Sequence, residues 1–282
     1  MSTTVFFAVI GAAILHASWN ALVKGGADKY VGIAAVAIGH VPFAVVALMF
    51  VPTPAAESFG YLAAGILLHV GYQLFLLQSY KVGDLTQVYP IARGSAPLIV
   101  ALVSVTVLGV VLVPMEIAAI LIIGVGILSL SLTRHADGMR NNKAALFALG
   151  TGVFIASYSL IDGIGARLAG TSVGYYAWLS IGNAAIMVVY FLILRPVTLT
   201  DMARHGRKVF FIGGGASFVA YALVTWAFTQ APIALVTALR ETSIVFALLI
   251  GVFFLKERLN LAKLLSTFVT LLGAALLRFA RT

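Results

Sequence analysis

A chain of 282 residues that is 62% hydrophobic and only 10% charged, with a mean hydropathy of +1.08, is not a water-soluble domain; such domains carry roughly 25% charged residues to cover their cores. The sequence holds no cysteine, which excludes a disulfide framework, a thiol nucleophile and a thiolate metal site. The net charge of +9 raises nucleic acid as a partner, but the basic residues fall in loops between apolar runs, where they set membrane topology.

An apolar run of about 20 residues spans a hydrocarbon core of about 30 Å. Ten such runs follow one another: 4–23, 31–51, 59–80, 85–108, 114–133, 144–163, 173–195, 209–230, 233–255 and 260–280. All are predicted to be helical, because lipid offers no partner to an open backbone group. The first, FFAVIGAAILHASWNALVK, lacks a basic leader and holds Trp19 and Asn20, so it reads as a retained span and not a cleaved signal peptide. The breaks carry charge or Pro/Gly, as in KGGADK, VPTPAAES, TRHADGMRNNK and LTDMARHGRK.

Polar residues inside the spans fall into stripes. Span one aligns His16, Trp19 and Asn20 on one face through i, i+3, i+4 spacing. Span two carries His40 alone, expected to hydrogen-bond a neighbouring helix. Span three repeats the first pattern with His69, Tyr72 and Gln73, and span four sets Thr86, Tyr89, Pro90 and Arg93 in line. Pro90 and Pro97 lack a backbone N–H and are expected to bend span four. Span six adds Tyr158, Ser159 and Asp162, span eight Ser217, Tyr221 and Thr225, and span nine Thr237, Arg240 and Glu241. Spans five and ten hold only a few Ser or Thr. The stripes are expected to meet at a water-accessible central cavity.

Thirteen basic residues lie in loops that follow odd-numbered spans and three on the opposite side, which predicts cytoplasmic odd loops and extracytoplasmic termini. Two remain, Arg93 and Arg240, both inside spans. They are also equivalent: RGSAPLIVAL (93–102) aligns with RETSIVFALL (240–249) at an offset of 147, which also pairs Gly126 with Gly273. ASWN (17–20) aligns with ASYS (156–159) at an offset of 139. The chain thus reads as two five-helix repeats, 1–138 and 139–282. Five is odd, so the repeats are inverted in the membrane, an architecture of transporters whose substrate site lies near the midplane.

The segment LLIGVFFLKERLNLAKLLSTFVTLLGAALL, with the turn Lys256-Glu257-Arg258-Leu259 followed by Gly273, closes this ten-span pattern. In these features the chain resembles the EamA-type branch of the drug/metabolite transporter superfamily. The first half carries Gly109-Val110 where the family has a Gly-Glu pair. The resemblance implies an all-α integral membrane fold of ten transmembrane helices in two inverted repeats. It also implies a central substrate cavity with spans five and ten as peripheral scaffold, and favours export of amino acids or similar metabolites.

An unpaired Arg mid-helix costs at least about 2.5–3.5 kcal/mol to insert, so an intramembrane charge marks either a solute path or a structural ion pair. Two planar guanidinium forks facing one cavity suit a carboxylate, phosphate or phosphonate. The expected function is secondary active transport, by alternating access, of a small anionic or zwitterionic metabolite such as an amino acid or aminophosphonate. Arg93 and Arg240 are expected to hold its acid group. Trp19, Asn20, Tyr72, Gln73, Tyr89, Tyr158 and Tyr221 are expected to shape the rest of the site. Glu241 is open to three roles: neutralising an arginine, binding a substrate ammonium, or taking up a coupling proton. His16 and His69 are further coupling candidates.

The three mid-span histidines lack an acid or cysteine at ligand spacing, so neither a metal nor a cofactor is expected. No phosphate-binding loop of the ATPase kind is present. The alternative is an integral membrane enzyme acting on a lipid-linked substrate, for which no HExxH or GxSxG motif is found. The expected setting is the cell (inner or plasma) membrane, as a multi-pass monomer or homodimer in the bilayer, with no nucleic-acid partner.

Overall fold

The fold is described from a computed structural model, covering residues 1–24, 28–82, 85–132, 142–253 and 261–280. The described residues form helices and contain no strand. Eight helical segments are long and apolar enough to cross a membrane: Thr3–Val23, Lys29–Leu48, Ala56–Ser79, Val88–Thr106, Asn142–Leu168, Ser172–Leu194, Val209–Gln230 and Ile233–Phe253. Two shorter apolar helices, Pro114–Ser129 and Leu264–Phe279, fall where spans five and ten are predicted. The 138/139 repeat boundary and the turn Lys256-Glu257-Arg258-Leu259 lie outside the described residues.

We number the helices α1 (Thr3–Lys24), α2 (Lys29–Leu48), α3 (Phe59–Val82), α4 (Leu85–Thr106), α5 (Pro114–Leu132), α6 (Asn142–Leu168) and α7 (Ser172–Leu194). After them come α8 (Pro196–His205), α9 (Gly214–Gln230), α10 (Ile233–Arg240), α11 (Ser243–Phe253) and α12 (Leu261–Phe279). Local chemistry sets several ends. Asp28 caps α2 by accepting from the Tyr30 N–H at 2.7 Å, and Thr171 caps α7 by accepting from the Gly174 N–H at 3.1 Å. Arg167, near the end of α6, donates to the carbonyls of Phe228 and Ala231, each at 2.8 Å, and so satisfies acceptors that the end of α9 leaves open.

Span six differs from expectation in length and span nine in continuity. Span six extends to Leu168, past the predicted end at 163. The predicted ninth span is two helices, because α10 stops at Arg240 and α11 begins at Ser243. Across the break the backbone tightens to i→i−3 bonds: Glu241 N–H to Ala238 C=O at 3.1 Å, Thr242 N–H to Leu239 C=O at 3.1 Å, and Ile244 N–H to Glu241 C=O at 3.0 Å. No proline or glycine marks the point in the sequence.

Packing pairs the two halves of the chain. α1 lies on α9 while α6 lies on α3; α6 also packs on α4 while α1 packs on α11; α2 meets α7, and α5 meets α12. Large apolar side chains such as Phe7, Leu67, Leu192, Phe253 and Phe268 are exposed on the outside, as a lipid-facing surface requires. At the α5–α12 contact two glycines make close approaches. A Cβ on Gly126 would stand 2.5 Å from Val269 Cγ1, and one on Gly273 2.5 Å from Ile123 Cγ1. Ser266 adds a hydrogen bond to the Gly126 carbonyl at 3.0 Å. Small residues here let two helices approach closely without a hydrophobic driving force between them. Gly273→Val is therefore expected to force the pair apart at a cost of about 1–3 kcal/mol, read as a lower unfolding midpoint in detergent.

Candidate functional site

The polar stripes converge on a cavity of about 100 Å³, enough for several waters. Its wall includes Ala12, His16 and Trp19 from α1, His40 from α2, His69, Tyr72 and Gln73 from α3, and Arg93 from α4. The second half supplies Tyr158 from α6, Tyr176 from α7, Ser217 and Tyr221 from α9, and Arg240 from α10.

At one part of the wall the two intramembrane arginines meet over one acid. Arg93 Nε lies 2.8 Å from Glu241 Oε2, and Arg240 Nε lies 3.8 Å from Glu241 Oε1. Arg93 Nη2 also donates to Ser243 Oγ at 3.2 Å. All three charges are buried, with Arg93 and Arg240 only 4% and 3% exposed and Glu241 not at all. The helix break accounts for the arrangement. It turns Glu241, which follows Arg240 directly, back between the two guanidinium groups, a contact that a continuous helix with about 100° between neighbours does not require. In the alignment of RGSAPLIVAL with RETSIVFALL, Gly94 stands opposite Glu241, so the two arginines share a single carboxylate.

Two guanidinium groups against one carboxylate leave a net positive charge, and it resides on Arg240. Its Nε and Nη2 hydrogen-bond no described residue, while Tyr158 and Tyr221 present their rings at 6.0 and 5.9 Å from its Cζ. Those distances are at the edge of cation–π contact, so the rings screen the charge without satisfying its donors.

A second polar cluster joins the halves elsewhere on the wall. Asp162 is fully buried; its Oδ2 lies 2.8 Å from His69 Nε2 and accepts from the Tyr221 hydroxyl at 2.7 Å. The His69 ring stacks on Tyr158 at 4.2 Å. Glu241 is expected from its place in span nine to be a deep acid, and Asp162 is a second: with α6 continuing to Leu168, it lies well inside its helix. The spacing signal was present, since Asp162 follows Tyr158 by four residues on the same stripe, but the partner sits on α3, 93 residues away.

Among the residues expected at the site, Arg93, Arg240, Trp19, Tyr72, Gln73, Tyr158, Tyr221, His16 and His69 line the cavity. Three do not. Glu241 sits behind the arginines; Asn20 donates to the His16 carbonyl of its own helix at 2.7 Å; and Tyr89 packs its ring 5.9 Å from Arg93 Cζ outside the wall. Gln73 exchanges amide hydrogen bonds with Asn183 of α7, at 3.1 and 3.3 Å. His16 meets Trp19 edge-on at 5.0 Å, and the buried Trp19 Nε1 finds no acceptor among the described residues. His40 differs from expectation: its Nε2 has no partner there, and its ring packs near Tyr176 and Phe218 at the cavity. Among the described residues no three potential metal ligands cluster.

Residues 142–279 match the EamA-like transporter family, part of the drug/metabolite transporter superfamily. The second half of the chain belongs to the EamA family. The EamA half supplies Tyr158, Asp162, Tyr221, Arg240 and Glu241 to the two clusters. A solved crystal structure matches 99% of this chain and all of its own with a TM-score of 0.76 at 17% identity, so the likeness of fold extends through the half that precedes the EamA match. No curated protein matches the chain.

Proposed function

We propose that this EamA protein is a secondary active transporter of a small anionic or zwitterionic metabolite, such as an amino acid or aminophosphonate, moved by alternating access and in the direction of export. The observation that carries this reading is Arg240: a buried guanidinium on a cavity wall inside an apolar fold, with two donor nitrogens, Nε and Nη2, that hydrogen-bond no described residue. A solute carboxylate or phosphonate supplies those acceptors and neutralises the surplus charge of the Arg93–Glu241–Arg240 triad. Glu241 acts as the counter-ion that holds Arg93 in place, which fits the first of the three roles open to it. Tyr72, Tyr158, Trp19 and Gln73 shape the remainder of the cavity.

The architecture we propose is ten membrane helices in two inverted five-helix repeats, the eight long apolar segments being joined by the two shorter apolar helices as the fifth and tenth. The exchange-symmetric pairing of α1 with α9 and α3 with α6, and of α2 with α7, is what such repeats produce, and the cavity lies between them. The EamA match does not favour a lipid-linked enzyme. We place the protein in the cell membrane with both termini outside, as a monomer or homodimer.

The test is counterflow of radiolabelled L-glutamate, L-alanine and 2-aminoethylphosphonate in proteoliposomes. Exchange of at least one of them, abolished by Arg240→Ala, is the expected result. Absence of exchange for acidic and zwitterionic solutes alike, with hydrophobic cations exchanged instead, overturns it. Tags at both ends, probed from outside intact cells, are expected to be reachable.

A further inference from the structure

Asp162 is unused by the site described above, yet it is a fully buried acid joined to a cavity-lining histidine. Its Oδ2 takes both His69 Nε2 and the Tyr221 hydroxyl, while its Oδ1 accepts no hydrogen bond from a described residue. Room for this carboxylate is built in. A Cβ on Gly65 of α3 would stand 2.5 Å from Asp162 Oδ1 and 3.4 Å from the Tyr175 hydroxyl. Asp162 does not line the cavity itself; His69, whose side chain is 14% exposed, stands between it and the interior space.

With Asp162 ionised, its hydrogen bond fixes the proton of neutral His69 on Nε2, because a carboxylate accepts and does not donate. The lone pair then lies on Nδ1, which hydrogen-bonds no described residue. Nδ1 is thus the atom at which the ring can take up a proton from the bulk solvent, after which the imidazolium would stay paired with Asp162 through Nε2.

The charge count links this step to the arginines. With the cavity empty, the Arg93–Glu241–Arg240 triad carries a net positive charge and the neutral-His69/Asp162 pair a net negative one, so the wall as a whole is neutral. A solute that brings a net negative charge to Arg240 upsets the balance, and one proton on His69 restores it. Uncompensated charge in so poorly solvated a space is costly, so the two events favour each other. They are also close together. The Tyr158 ring lies 4.2 Å from the His69 ring and 6.0 Å from Arg240 Cζ; the Tyr221 ring lies 5.4 and 5.9 Å from the same two groups. The other ionisable groups facing the pair are Tyr175 and Tyr176 on α7, Tyr72 on α3, His40 on α2 and Arg93 on α4; none of them is an acid.

We propose that Asp162 and His69 form a proton-binding site in the cavity wall, and that a solute carrying net negative charge is bound together with a proton on His69. Tyr221 is a positioning residue that holds the Asp162 carboxylate. The proposal rests on Arg240 as the acid-group site.

The test uses full-length protein in lipid nanodiscs with nitrogen-15 histidine, the His69 resonances being assigned by their loss in His69→Gln. Without solute, the protonation state of the His69 ring, read from its nitrogen-15 shifts over a pH series, is expected to respond to pH and to respond differently in Asp162→Asn and in Gly65→Ala. A ring that stays in one protonation state throughout, or that is indifferent to Asp162→Asn, overturns the proton site. At pH 7, saturating L-glutamate is expected to raise the imidazolium fraction several-fold and zwitterionic L-alanine to leave it unchanged. Glutamate binding, seen as a thermal shift, with no change at His69 overturns the linkage. If neither solute shifts the melting temperature, the acid-solute reading of Arg240 fails, while the solute-free titration still decides the proton site.

Discussion

Glu241→Ala is expected to cost about 3–5 kcal/mol of stability, the range seen when one member of a buried ion pair is removed and its partner left uncompensated. The loss falls on two groups at once, since Glu241 lies 2.8 Å from Arg93 and 3.8 Å from Arg240 and all three are buried. Arg93→Ala is expected to be nearly as damaging, because it exposes Glu241 to the looser arginine alone. Arg240→Ala is expected to cost little by comparison, since a neutral Arg93–Glu241 pair remains with Ser243 still bound to Arg93. Unfolding in mixed detergent with rising SDS, monitored by intrinsic fluorescence, ranks the three variants. An Arg240→Ala protein as unstable as Glu241→Ala rejects the triad as a stabilising unit with one surplus cation.

Arg240→Ala is expected to have the opposite profile in function: the fold survives and solute binding falls roughly 10- to 100-fold, the equivalent of losing about 1.5–3 kcal/mol of charge-assisted hydrogen bonding. Arg240→Lys is expected to recover only part of this. An ammonium keeps the charge but not the planar fork that offers Nε and Nη2 together. Binding by scintillation proximity, with the unfolding midpoint measured on the same samples, separates loss of site from loss of fold. Retention of wild-type affinity in Arg240→Ala moves the acid-group site elsewhere, Arg93 being the remaining intramembrane cation.

The helical membrane fold and the identity of its two buried cations were legible in the residues alone. The bilayer demands length and apolarity from each span and penalises every charge within it, so the apolar runs and the two interrupting arginines stand out at the level of composition; eight described segments are long and apolar enough to cross, while the helices at predicted spans five and ten are shorter. RGSAPLIVAL and RETSIVFALL align in the sequence, and the glycines at 126 and 273 each meet a branched side chain across the α5–α12 contact.

What the stripes leave undetermined is where each side chain points once helices pack. Glu241 comes between both arginines only because α10 ends before α11 begins, a break that tertiary packing imposes where the sequence has no helix-breaking residue. Asn20 shares a face with His16 and Trp19 by spacing, yet its amide turns to its own backbone. Asp162 reads as the last polar residue of a span until α3 is laid beside α6, when His69 falls 2.8 Å from its carboxylate. Helical periodicity defines a direction around one axis, whereas contact between residues 93 positions apart depends on the rotation and depth of two axes relative to each other. Those are set by the fit of glycines, bulky side chains and paired polar groups over the whole bundle, and local sequence does not encode them.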